Sequence, residues 1–155
     1  MTRTDRAGRT IAASPETVYA ALVSQESVAA WLPPGGMTGE ITRWDPRPGG
    51  GFRMVLTYLD PSDSPGKSSD STDVVEVGFA ELSPPRRVVQ TAVFEADDPA
   101  FAGTMTMTWS LEPAGDGTEV TVTATDVPAG IDQAQHEAGI ASSLANLAAY
   151  LEARG

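Results

Sequence analysis

His136 is the only histidine in the chain, and there is no cysteine. Few side chains can therefore move a proton near neutral pH or bind a soft metal. A lone His with no recognisable Cys, Ser or Asp motif beside it does not make a nucleophilic centre. It stands four residues before Ile140 on an apolar helical stripe, and two readings stand. It orients a ligand or exchanges a proton with a substrate, or it is a half-buried structural imidazole with a backbone partner. Gln90, in RVVQTAVFE, is the second candidate. Alternation groups it with Val88, Ala92 and Phe94, and a buried amide needs partners. The opposite register, with Val89, Thr91 and Val93 inside, fits the same residues. The run Asp60, Asp63, Asp70 and Asp73 invites a metal, but it lacks the alternating oxygen ligands and terminal Glu of a calcium loop. One His and no Cys make no transition-metal cluster. No metal, no cofactor and no catalytic residue are therefore expected, and 60–73 reads as a solvated loop.

The elements that must position these residues follow from length and periodicity. The 155 residues, 41% apolar and 20% charged, suit one globular domain spanning 1–155. A net charge of −11, with Lys67 the only lysine, argues against nucleic acid, which needs clustered bases. It also argues against an anionic membrane surface. No apolar run is long enough to span a bilayer, so no membrane insertion is expected. The opening MTRTDRAGRTIA lacks the apolar stretch of a signal peptide, and with the absence of cysteine this points to the cytoplasm.

Arg3 to Ala12 reads as an edge strand weakened by Gly8. Ser14-Pro15 is a helix start, with Ser as N-cap and Pro at the first helical position. Ser24 caps a second short helix, which ends at Pro33-Pro34. From Met37 to Thr125 the pattern is strands and turns, clearest in TMTMTWSL, where Met105, Met107, Trp109 and Leu111 share one side. Asp132 caps a last helix over 132–152, with Gln135 completing a capping-box pattern. His136, Ile140, Leu144, Leu147 and Leu151 make its continuous stripe. Gly139 within it costs about 1 kcal/mol against Ala, which suggests a close approach by a neighbouring element. Seven antiparallel strands with one apolar face need a cover, and the last helix is the only element long enough. The expected architecture is α+β, a curved seven-stranded sheet gripping a long C-terminal helix, with two short helices after the first strand.

Trp31, at the end of the second short helix, either borders a hollow between sheet and helix or fixes the short helices by packing. Phe52, Met54, Phe94, Met105, Met107 and Trp109 read as core by default. Paired Met also suits an adaptable pocket.

The stretches RTIAASPETVYAALVSQESVAAWLPP, WDPRPGGGFRM, ELSPPRRVVQTAVFE, MTMTWSLEPAGDGTEVTVTATDV and HEAGIASSLANLAAYLE occur in this order over nearly the whole chain. In them the chain resembles the START-like, helix-grip (SRPBCC) superfamily and, within it, homologues of the activator of heat-shock-protein-90 ATPase. The resemblance implies a cavity between sheet and helix for small apolar or amphipathic ligands, but no single activity. Two departures stand out. The family pattern His-x-x-Gly-Trp reads here His136 to Ile140, and the strand after SPPRR carries Gln90 and Ala92 where large aromatics are usual.

The resulting expectation is a protein that binds a small apolar or aromatic ligand. Phe52, Met54, Met105, Met107 and Trp109, with Phe94, form its wall, Trp31 and Ile140 its mouth, and Gln90 and His136 its polar contacts. A polyketide aromatase/cyclase-like enzyme is the alternative. A chaperone-related interaction module is the third reading, which no residue here supports directly. A homodimer is compatible with the sequence.

Overall fold

The computed structural model describes residues 3–33, 37–59, 72–94 and 99–154. Thr4–Ile11 forms β1, Pro15–Leu22 α1 and Gln25–Trp31 α2. Met37–Asp45 is β2, Gly51–Tyr58 β3, Thr72–Ser83 β4 and Arg87–Phe94 β5. Met105–Ala114 is β6, Gly117–Thr125 β7 and Gln133–Arg154 α3. The seven strands make one antiparallel sheet in the order β1-β7-β6-β5-β4-β3-β2. This is the α+β helix-grip arrangement that the periodicities predict.

Local chemistry accounts for the element boundaries. The Ser14 hydroxyl accepts from Thr17 N–H and the Ser24 hydroxyl from Ser27 N–H, so each short helix begins at a capped donor. The Asp132 carboxylate accepts from Gln135 N–H at 2.9 Å and starts α3. In the turn between β2 and β3, Gly49 takes φ +87°, open to glycine at little cost. A side chain at Gly51 would collide with the Val77 carbonyl. The specific glycines of the PRPGGG turn are thus required by a left-handed step and by the closeness of β4. Bulges between Ile41 and Arg43 and between Phe79 and Glu81 shift the inward set along β2 and β4.

Two flanks of α3 hold the molecule together. On one, Glu137 accepts the Arg6 N–H at 2.9 Å and Glu152 the Ala12 N–H at 3.2 Å, while Gln133 donates to the Thr4 carbonyl at 3.2 Å. Thr4 and Arg6 lie on the outer edge of β1 and Ala12 just past its end, an edge that no other strand among the described residues pairs. On the other, Ser143 donates to the Leu32 carbonyl at 2.6 Å, Asn146 to the Pro33 carbonyl at 2.9 Å, and Tyr150 meets Ser27 at 3.0 Å. Between the flanks Leu144, Leu147 and Ala148 are fully buried, with Ile140 and Leu151 nearly so.

Two expectations change. Asp73, read as part of a solvated loop, lies in β4 and is buried, accepting from the Tyr58 hydroxyl at 3.1 Å. The inward alternation of β4 reaches it, which a stretch of polar residues concealed. Residues 60–71 of that loop lie outside the described residues. Gly139 is not explained by close packing, since a Cβ there would meet nothing within 4 Å.

The second correction has a measurable consequence. Gly139→Ala removes the backbone-entropy cost without a clash and should raise stability by about 0.5–1 kcal/mol in urea unfolding. Leu144→Ala, made in the closed stripe, should lower it by about 2–5 kcal/mol in the same assay.

Candidate functional site

Strand register lays the candidate residues out in rows across the concave face. One row runs Phe79, Gln90, Met107, Ala124 and Asp5, on β4, β5, β6, β7 and β1. The next runs Leu82, Val88, Trp109, Val122 and Ala7, and another Trp44, Phe52, Val77, Ala92 and Met105. The register of β5 is thereby decided. Gln90 faces inward with Val88 and Ala92, and Val93 is 39% exposed on the other face.

Phe52, Met54, Met105 and Trp109 are closed off, each 2% exposed or less. Ile140 is buried beneath α3. Trp31 is equally closed. Its ring meets Trp109 edge-on, with centroids 5.4 Å apart, and its Nε1–H donates to the Ala21 carbonyl at 3.0 Å. The Trp109 Nε1–H in turn donates to Gln90 Oε1 at 3.0 Å. Trp31, Trp109 and Gln90 therefore form one continuous contact in which both indole donors are satisfied internally. Gln90, Phe94 and Met107 differ from their neighbours, because they point inward yet remain partly exposed.

His136 lies on α3 over the end of the same row. Its Nδ1 is 2.7 Å from Asp5 Oδ2. Asp5 has no exposed surface and also takes Arg3 Nε at 3.0 Å and Arg3 Nη2 at 2.9 Å. Burial alone would raise the Asp5 pKa. Hydrogen bonds and charge from Arg3 and His136 outweigh it and hold the carboxyl below its ordinary value. Among the described residues nothing hydrogen-bonds the Nε2 of His136 or of Gln90. No side-chain nitrogen or oxygen shut away from solvent there lacks a partner, so neither Nε2 atom is fully closed off.

Sequence reasoning missed Asp5, Trp44 and Phe79. Trp44, Phe52 and Phe79 form an aromatic cluster with centroids 5.2 to 6.0 Å apart. Asp5 carried a legible signal, because it alternates with Ala7 and Ile11 and so falls on the inward side of the first strand. Two surface recesses lie elsewhere. One of about 520 Å³ borders α2 and β2, and one of about 440 Å³ borders α1, α2 and Tyr150. None of the ten nominated residues lines either. Among the described residues no three His, Asp or Glu side chains converge as metal ligands. No helix among them is long and apolar enough to cross a membrane.

The model of a family described as activator of Hsp90 ATPase homolog 1-like proteins matches residues 12–152. The structure of protein CV1439 from Chromobacterium violaceum is similar with a TM-score of 0.83 and 30% identity, over 96% of both chains. Mll3558 from Rhizobium loti gives 0.71 and 27%, over 97% of both. DynU16, from the dynemicin biosynthetic locus, gives 0.68 and 20%, over 96% of this chain and 47% of its own. At that identity it speaks for the fold alone. No curated protein matches.

The Asp5 geometry sets a pH dependence. A carboxyl whose folded pKa is depressed stabilises the fold fully above its ordinary value of 3.8, and that contribution is lost as pH falls through the lower folded value. Urea midpoints should therefore be higher for the wild type than for Asp5→Asn at pH 7, and the two should converge as the pH falls below the ordinary carboxyl value of 3.8. Parallel curves down to the lowest pH would contradict this account of Asp5.

Proposed function

The chain belongs to the family of activator of Hsp90 ATPase homolog 1-like proteins, and we propose that it binds a small apolar or aromatic ligand between its sheet and α3, in the cytoplasm. One observation carries this reading. Gln90, Met107 and Phe94 face the concave side of the sheet and are still accessible, while the inward residues around them are closed. An inward apolar surface that reaches solvent beside a few polar groups is what a small-molecule site requires. Phe52, Met54, Met105 and Trp109 then act as a rigid wall behind the accessible residues, supported by Trp31, with Ile140 on the helix side. Affinity comes chiefly from apolar area removed from water, about 25 cal/mol per Å² before the costs of association.

The aromatase/cyclase reading has one specific point in its favour, the likeness to DynU16, a protein of the dynemicin biosynthetic locus. It demands the same groove, with turnover added to binding.

A neutral probe suits a chain of charge −11. N-Phenyl-1-naphthylamine should brighten on titration into the protein. Met107→Trp, which fills the accessible row, should weaken its binding about tenfold. Val93→Trp, on the opposite face, should leave it unchanged. Equal binding by the wild type and Met107→Trp would remove the groove from consideration.

A further inference from the structure

We propose that the outer edge of β2 is a docking site for an extended segment of another protein, one that alternates apolar residues with lysine or arginine. The two ends of the sheet are treated differently. The order β1-β7-β6-β5-β4-β3-β2 leaves β1 and β2 as terminal strands. Along β1, side chains of α3 take N–H and carbonyl groups, through Glu137, Glu152 and Gln133. Between Met37 and Trp44 no residue among those described outside β3 does the same for a β2 backbone group. In an antiparallel pair every second residue turns its N–H and C=O away from the partner strand, so β2 presents such groups on its outer side. The usual devices that blunt an edge are weak here. Met37–Asp45 contains neither lysine nor proline. Its bulge falls between Ile41 and Arg43, so Met37 to Ile41 stays in unbroken register with Tyr58 to Met54.

Beside this edge lies the recess of about 520 Å³, lined by Gln25, Glu26 and Ala29 of α2 and by Gly39, Glu40 and Ile41 of β2. Consecutive strand residues point to opposite faces. A recess that touches three in a row therefore meets the strand at its edge, where a further strand would lie. Ala29, Gly39 and Ile41 are half-buried and form an apolar floor, while Glu26 and Glu40 stand exposed at the rim. Charge decides the occupant. The arginines at this end of the sheet already have other acids. Arg43 meets Glu76 at 2.8 Å, Arg53 meets the same carboxylate at 3.3 Å, and Arg47 meets Asp45 at 2.9 Å. Among the described residues Glu26 and Glu40 have neither an ion pair nor a side-chain hydrogen bond. A second copy would bring the same two carboxylates and another net charge of −11 to the edge, and is repelled. A basic segment is attracted and steered. Main-chain pairing then supplies affinity and the alternate side chains supply choice, as in other strand additions. This edge shares no residue with the ligand groove, so the two stand or fall separately.

The test titrates a fluorescein-labelled peptide of alternating lysine and valine with the full chain and reads anisotropy. Two control peptides accompany it. One carries glutamate in place of lysine. The other is the lysine peptide N-methylated at every residue, which keeps its charge but can donate no main-chain hydrogen bond. The wild type should bind the lysine peptide about tenfold more tightly than either control. Glu26→Lys/Glu40→Lys should weaken that binding about tenfold. Asp116→Lys/Glu119→Lys makes the same change of net charge at exposed positions on the β1 side of the sheet, and should leave binding nearly unchanged. Amide NMR locates the contact, since the signals of residues 37–41 should shift and their hydrogen exchange slow when the peptide is added. No binding of the lysine peptide, equal binding of a control, equal loss in both charge variants, or shifts that avoid β2 would each overturn the proposal. So would sedimentation of the protein alone as a dimer with its β2 amides already protected, which would give the edge to a second copy.

Discussion

An amphipathic helix with two polar flanks holds this molecule in shape, and its grip on β1 is the contact on which the rest depends. A terminal strand exposes a row of unpaired N–H and C=O groups, and proteins must cover such an edge or blunt it. Here Glu137 and Glu152 take two of the edge N–H groups, and Gln133 one carbonyl. The opposite flank ties Leu32 and Pro33 at the end of α2 through Ser143 and Asn146. About 33 Å of helix, from its 22 residues, is thereby fixed at both ends and on both sides. Its backbone lies closest to β1 and the two short helices. The concave face over β5 and β6 is reached mainly by side chains.

That asymmetry explains why the interior is closed at one level and accessible at another. Where bulky groups reach across, they meet, as in the edge-on contact of Trp31 with Trp109 and the cluster of Trp44, Phe52 and Phe79. The polar atoms of this part serve one another, indole to carbonyl and indole to amide. Leaving either donor bare would cost the desolvation of a buried N–H, about 1–3 kcal/mol. Around Met107, which stays partly exposed, no such bridge forms. Gly139 matches this, with open space where a side chain would stand.

The fold was legible because its signals are periodic and mutually consistent. Alternation in TMTMTWSL, the four-and-three spacing from His136 to Leu151, and Ser, Pro and Gly at the boundaries all point to one arrangement. The site was less legible, because its key facts concern what stands opposite. Nothing in RVVQTAVFE chooses between Gln90 and its neighbours as the inward set, since both sets are partly apolar. Pairing with Phe79 and Met107 makes the choice. His136 was recognisable as the one titratable group on the stripe, but its partner lies 131 residues away in a strand weakened by Gly8. Trp31 left two readings open for the same reason, since whether a tryptophan borders or fills depends on Trp109 and Ala21.

Charge adds a constraint that shape alone does not. A chain of −11 carries a negative field that disfavours anionic ligands at its surface, and the inward carboxylates Asp5 and Asp73 are committed to Arg3, His136 and Tyr58. A neutral ligand avoids both the field and the desolvation of a full charge, which inside a protein costs several kcal/mol per ion. Its discrimination must then come from a few uncharged hydrogen bonds set in an apolar floor. In such a surround a missing partner is felt most strongly, because a buried polar group without one loses its hydration and gains nothing in return.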